Sequence, residues 1–272
     1  MPELPEVETT RLAISPYLLD ETIDKLVTRH QQLRLPVSPD LQFSVGQKIR
    51  AIERRAKYLL LHLSKGCLLI HLGMSGHLRI ANKGALAGKH DHIDLQLVNG
   101  LILRYQDPRR FGLWLYLTQN PLEHPLLSHL GVEPLDDTFN GSYVFNRAHK
   151  KTQSIKSFIM NNEVVVGVGN IYATESLFLA GIHPETPAGS ISYERFEILI
   201  SYIKKVLRQA ITAGGTTLKD FYALDGKPGY FANELLVYGR KNQPCFRCDT
   251  LIEIVRIAGR SSAFCPGCQI LA

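Results

Sequence analysis

Two cysteine pairs, Cys245-x-x-Cys248 and Cys265-x-x-Cys268 with sixteen residues between them, constrain the fold of this 272-residue chain more than any other feature. Pairs at this spacing can turn four thiolates toward one point, the donor set of a tetrahedral zinc site. Four protein ligands leave no coordination position for a substrate. One structural Zn2+ per chain is therefore expected on Cys245, Cys248, Cys265 and Cys268, with no catalytic metal. Between the pairs, Ile252 and Ile254 alternate with Glu253 and Val255 ahead of Ala258-Gly259-Arg260, the pattern of a β-hairpin finger. The fifth cysteine, Cys67, lies in an apolar stretch and reads as a small core residue.

A ribbon of this kind accounts for only the end of the chain. With 272 residues and 45% apolar content, the remainder is long enough for a second core, so two domains are expected. Lys and Arg number 31 against 25 Asp and Glu, a net charge of +6 with pI near 9.0, which suits a polyanionic partner. The acidic start lacks the basic-then-apolar order of a secretory signal. No apolar run approaches the roughly 18 to 20 residues that cross a bilayer. A cytoplasmic compartment follows, where paired cysteines hold metal more often than they form disulfides.

Periodicity divides the chain further. Pro5 suits a first helical turn with Glu6 and Glu8 near the positive end of the helix dipole, and the helix is expected to run to about Ser15, before Pro16. Strand patterns follow from Ile49: Tyr58 to Leu63, Cys67 to Leu72, Ile93 to Leu97, Leu101 to Tyr105 after the Asn99-Gly100 turn, and Leu113 to Leu117. Such density implies an antiparallel two-layer β-sandwich. Residues 133–150, beginning with a Pro-, Asp-, Gly- and Asn-rich stretch, read as a linker. Helical spacing then covers Ile155 to Ile159, Asn170 to Leu179 and Tyr193 to Ile211, up to Gly214-Gly215. The fold class is α+β, with a sandwich domain over 1–132, a helical domain over 151–237 that includes a Gly- and Pro-containing loop at 214–231, and the zinc finger over 238–272.

The opening Met1-Pro2-Glu3-Leu4-Pro5-Glu6 carries chemistry. Once Met1 is removed, Pro2 becomes a free secondary amine. An α-amine titrates at about 8, so an appreciable fraction of it is neutral and nucleophilic at cellular pH. This terminus, the distant cysteine pairs and the motifs between them together resemble the bacterial formamidopyrimidine-DNA glycosylases, base-excision repair enzymes related to endonuclease VIII. The resemblance spans nearly the whole chain in order.

That resemblance implies a role for each matching residue. Pro2 would attack sugar C1′, Glu3 would protonate the opening ring, and Glu6 would order the N-terminal site. Lys57, in Arg54-Arg55-Ala56-Lys57-Tyr58, would contact phosphate near the lesion and assist elimination, and Arg260 would assist the later elimination. Met74 in His71-Leu72-Gly73-Met74-Ser75-Gly76, with Arg109 and Phe111 in Asp107-Pro108-Arg109-Arg110-Phe111-Gly112, would fill the gap left by an everted nucleotide; flipping costs a few kcal/mol that such wedges offset. His90, Lys151, Lys156 and Asn170 would be further DNA contacts, the last two in a helix-two-turn-helix containing Gly167-Val168-Gly169. Thr216, Thr217, Leu218, Lys219, Asp220, Phe221 and Tyr222 would belong to a lesion-recognition loop. The implied activity is excision of 8-oxoguanine and formamidopyrimidines from duplex DNA, then β,δ-elimination at the abasic site. The implied partner is duplex DNA carrying an oxidised purine or abasic site, bound by a monomer acting on the bacterial nucleoid.

Two rival readings are distinguishable on residues. An endonuclease VIII-like enzyme for oxidised pyrimidines is disfavoured by the lesion loop and by Met74, Arg109 and Phe111. A zinc-containing DNA-binding protein without catalysis leaves Pro2-Glu3 unexplained.

Overall fold

The computed structural model describes residues 2–216 and 231–271. They divide into two compact units, one of residues 2–128 with 213–216 and the other of 129–212 with 231–271.

In the first unit, helix α1 (Leu4–Leu18) precedes strands β1 (Ile23–Thr28), β2 (Ile49–Arg55), β3 (Tyr58–Leu63), β4 (Cys67–His71), β5 (His77–Asn82), β6 (Asp91–Leu97), β7 (Leu101–Gln106) and β8 (Leu113–Leu117). The strands form two four-stranded antiparallel sheets in the orders β1-β6-β7-β5 and β2-β3-β4-β8. Both sheets and α1 supply one apolar core, including Val7, Ile14, Leu61, Leu68, Leu95, Leu103 and Trp114. Cys67, at the start of β4, is buried, and that burial pushes its thiol up to about 12, which leaves it inert.

The expectation that α1 stops before Pro16 is corrected: the helix continues to Leu18. Pro16 removes only the bond to the carbonyl of Leu12, on the exposed side, and the end is secured by the Leu19 amide on the Ser15 carbonyl and by fully buried Leu18. At its start, Glu3 and Glu6 form a reciprocal capping box. Strands β1 and β5 are additional to those the sequence pattern indicates; β1 reads buried-exposed-exposed-buried, without strict alternation.

The second unit contains α2 (Gly141–Ala148), α3 (Ile155–Ile159), α4 (Asn170–Leu179), α5 (Tyr193–Thr212) and the hairpin β9 (Glu253–Ile257) and β10 (Arg260–Phe264). Helix α2 occupies part of the stretch expected as linker, because the Asn140-Gly141 pair starts a helix: Asn140 Oδ1 accepts from the Tyr143 amide at 3.0 Å. Helix α5 buries Phe196, Leu199, Ile200, Ile203, Val206, Leu207 and Ala210, a single stripe at helical spacing. It ends ahead of Gly214 and Gly215, whose φ values of +78° and +85° favour glycine. A smaller core of Phe178, Val237, Cys245, Ile252, Ala263 and Cys265 packs α4 against the hairpin.

Candidate catalytic, DNA-facing and zinc-binding residues

Pro2, Glu3 and Glu6 are all buried at the start of α1, with Glu3 and Glu6 at 4% and 3% exposure. The Glu3 amide donates to Glu6 Oε2 at 2.8 Å and the Thr216 amide donates to Glu6 Oε1 at 2.8 Å. One carboxylate thus holds the helix start and the first residue expected in the lesion loop. The rest of that expected loop, Thr217 to Tyr222, lies outside the described residues.

One helical turn on, Glu8 accepts from Arg11 and from Arg54, the latter at 3.0 Å. Burial alone would raise the Glu8 carboxyl, but the two guanidinium groups hold it below the usual carboxylate range. Arg54 also donates to the Ala56 carbonyl at 3.0 Å. Ala56, at φ +54°, and Lys57 form the two-residue turn between β2 and β3. Lys57 is therefore anchored through Arg54 and Glu8 to the helix that begins beside Pro2.

Register places Tyr58 opposite His71, with ring centroids 4.8 Å apart. His71, to which the sequence assigns no role, accepts the Gly73 amide on Nδ1 at 3.0 Å. Its ring keeps part of its surface open. Even so, surrounding atoms, then the charges of Arg34 and Lys57, push it down to about 4, so it is neutral at physiological pH.

The structure brings the two loops of the expected insertion triad together around Asp107, which is fully buried. Its Oδ1 accepts from Ser75 Oγ at 2.7 Å, and Oδ2 lies 2.8 Å from the Gly112 amide and 2.9 Å from the Tyr105 hydroxyl. Ser75 Oγ in turn accepts the Arg109 amide at 3.1 Å. A Cβ at Gly73 would stand 2.5 Å from the Phe111 carbonyl carbon, so only glycine permits this approach. From the anchored backbone, Met74 (39% exposed) and Phe111 (45%) reach solvent, and the Arg109 guanidinium lies over the Phe111 ring at 5.1 Å. His90 joins the same hub, its carbonyl accepting the Asp107 amide at 3.0 Å. The segment before it is tied down by Arg104, which pairs with buried Asp94 and donates to the carbonyls of Ala85 and Leu86.

In the second unit, Lys151 is exposed, as a phosphate contact requires. Lys156 is not: it is 1% exposed, and its ammonium is turned inward to Asn170, Ser261 and Ser262. The expectation that it reaches phosphate is corrected by that geometry. Asn170 opens α4 after Gly167, at φ +77°. Arg260 is exposed at the start of β10. Glu175, to which the sequence likewise assigns no role, is 2% exposed and accepts the amides of Leu236, Val237 and Tyr238. Burial raises its carboxyl in spite of those donors.

The four sulfurs of Cys245, Cys248, Cys265 and Cys268 lie within 4.8 Å of one another, with separations of 3.4, 3.5 and 3.9 Å among them. Zn–S bonds of about 2.3 Å place tetrahedral sulfurs about 3.8 Å apart, so the set fits one structural zinc. Phe264, packed edge-on against His183 at 4.4 Å, closes the hairpin side.

Comparison with known proteins agrees with this arrangement. Residues 1–114 match the formamidopyrimidine-DNA glycosylase N-terminal domain, residues 130–222 the H2TH domain of the same enzymes, and residues 242–270 the zinc finger found in FPG and IleRS. The chain is 60% identical to the formamidopyrimidine-DNA glycosylase of Legionella pneumophila (strain Lens) over 99% of its length and 98% of the relative's. It is 55% identical to that of Actinobacillus pleuropneumoniae serotype 7, over 100% and 99%. Among solved structures, the MutM (Fpg) protein of Thermus thermophilus superposes with a TM-score of 0.88 at 35% identity, covering 100% of both chains. MutM in complex with DNA containing carbocyclic 8-oxo-G superposes with a TM-score of 0.91 at 34% identity, covering 99% of this chain and 100% of that one. From these matches and the geometry they accompany, the chain belongs to the formamidopyrimidine-DNA glycosylase family, DNA glycosylases of base-excision repair.

Proposed function

We propose that this chain removes oxidised purines, 8-oxoguanine and formamidopyrimidines, from duplex DNA and then cleaves the abasic site by β,δ-elimination through a Schiff base on Pro2. The Pro2 nitrogen attacks C1′ as the base leaves, Glu3 delivers a proton to the ring oxygen, and the resulting iminium acidifies C2′. Loss of the C2′ proton expels the 3′ phosphate, and a second elimination, assisted by Lys57 and Arg260, expels the 5′ phosphate. Met74, Arg109 and Phe111 occupy the vacated stack, and His90, Lys151 and Asn170 contact the backbone. The protein acts as a monomer on the nucleoid in the cytoplasm.

The observation that carries this reading is the Glu6 carboxylate, which fixes the amide of Glu3 at the start of the helix that Pro2 precedes. The reading is also supported by the DNA that similar proteins bind, such as a Lactococcus lactis Fpg mutant in complex with Fapy-dG-containing DNA, which superposes with a TM-score of 0.92 at 33% identity.

Incubation with an 8-oxoguanine duplex and borohydride tests lesion recognition and amine chemistry together. A reduced protein-DNA adduct is expected, mapping to a terminal peptide that begins at Pro2. Glu3→Gln is expected to bind duplex normally while excising slowly, since it loses a proton donor and not a binding surface. A fully active preparation that retains Met1 would overturn the assignment of Pro2.

A further inference from the structure

Lysine is rarely buried, because an ammonium without partners is costly to remove from water. Lys156 is 1% exposed, and its Nζ donates to Ser262 Oγ at 2.6 Å, Asn170 Oδ1 at 2.7 Å and the Ser261 carbonyl at 3.2 Å. An ammonium needs acceptors when it leaves water, and a side-chain amide, a hydroxyl and a carbonyl of the protein supply them here. Asn170 Nδ2 donates to the same Ser261 carbonyl at 3.1 Å. One lysine on α3 and one asparagine at the start of α4 therefore grip the two residues that follow Arg260 in β10.

Arg260 itself is exposed, after a turn in which Ala258 and Gly259 have φ values of +46° and +76°. Beside it is a cavity of about 220 Å³ lined by Lys156, Ser157, Met160, Ile257, Ala258 and Arg260. The placement of its guanidinium accordingly comes through the backbone of the hairpin. The zinc thiolates hold the far end of that hairpin; Lys156 holds it at Arg260.

We infer that Lys156 is a positioning residue: it locks the turn end of the β9–β10 hairpin onto the helix-two-turn-helix and so sets where Arg260 acts in the elimination step, without touching phosphate. This inference rests on the role proposed above for Arg260. It also explains why a hydroxyl stands at position 262, where an apolar residue would leave a buried ammonium short of an acceptor.

The test uses the zinc-loaded full chain and an abasic-site duplex. Lys156→Met keeps the unbranched stem and removes the donors. Both Lys156→Met and Arg260→Ala are expected to lower the ratio of δ to β product about fivefold or more, and the double variant is expected to fall no further than Arg260→Ala alone, because the two act as one unit. Affinity for undamaged duplex, and its salt dependence, should be unchanged in Lys156→Met. A salt slope reduced by roughly one, with additive losses in the double variant, would identify a direct phosphate contact and overturn the inference. Should Lys156→Met fail to fold, Ser262→Ala removes a single acceptor and is expected to shift the ratio in the same direction, about twofold. If Arg260→Ala leaves the ratio unaltered, the role of Arg260 fails, and the grip on the hairpin is judged by hydrogen exchange. Amides of residues 253–264 should then exchange about tenfold faster in Lys156→Met; unchanged exchange overturns the inference.

Discussion

Glu6 and Thr216 are joined by a hydrogen bond of 2.8 Å from the Thr216 amide to Glu6 Oε1, across a separation of 210 positions. The other oxygen of the same carboxylate takes the Glu3 amide. A group that acts on the first residues of the chain is thus attached to the place where residues 217 onward begin.

Glu6→Gln tests that attachment. An amide side chain has one acceptor oxygen, so one of the two backbone donors is left facing an N–H group, at a cost of about 1–3 kcal/mol. Lower thermal stability is expected, with base excision slowed about tenfold if about 1.4 kcal/mol of that loss falls on positioning in the transition state. Thermal melting and single-turnover excision are the measurements. Wild-type excision by a variant that melts lower would confine Glu6 to stability.

Arg109 and Lys151 are both exposed cations, yet their surroundings differ. Arg109 stands over Phe111 on the Asp107 hub, so Arg109→Ala should lose discrimination for 8-oxoguanine duplex over undamaged duplex. Lys151→Ala should weaken both duplexes alike and flatten the salt dependence by roughly one unit of slope. Binding titrations at several salt concentrations separate the two. Equal losses on both duplexes for Arg109→Ala would make it an ordinary backbone contact.

Metal analysis should return one zinc per chain, as the four converging thiolates require. Cys248→Ser removes one ligand and should release the metal, loosen the hairpin and weaken DNA binding, since the zinc contributes folding energy directly. Full activity in protein shown to be zinc-free would exclude this structural role.

His71 predicts a pH dependence of stability. Its pKa falls from 6.5 to about 4 on folding, so between these values the unfolded chain binds the extra proton. Stability from this residue is complete above about 6.5, declines as pH falls, and is lost once pH has dropped through about 4. A shift of that size corresponds to ~3 kcal/mol, reduced to about 2 for a ring with some surface exposed. His71→Asn keeps an acceptor for the Gly73 amide without titrating, and thermal melts from pH 4 to 7 should be flatter for it than for the wild type.

The parts of the fold that were legible in the sequence have local causes. Strands β3 and β8 and helix α4 have the bounds that their periodicity and flanking glycines indicate. Helix α2 escaped because Asn140-Gly141 is a turn signal that here serves as a cap. In the candidate site, the zinc cysteines are readable from their spacing, whereas Met74, Arg109 and Phe111 are singled out only through the family resemblance. The supporting contacts are not legible: Asp107 and Ser75 are 32 positions apart, Lys156 and Ser262 are 106 apart, and no period in either segment announces the partner. Glu175 lies in a helix buried along most of its length, where a carboxylate gives no sequence sign of the three amides 61 to 63 positions away.

The tight seating of Gly73 against Phe111 and of Gly112 against Tyr105 has a thermodynamic meaning for the encounter with DNA. Under the role proposed for Met74, Arg109 and Phe111, a wedge whose backbone is already immobilised by a buried carboxylate would give up its conformational freedom when the protein folds, not when it meets the helix. The compliance needed to open a base stack must then come from the duplex. Base pairs weakened by damage would yield to such a rigid probe more readily than intact ones, which would make stiffness in the protein itself a means of selection.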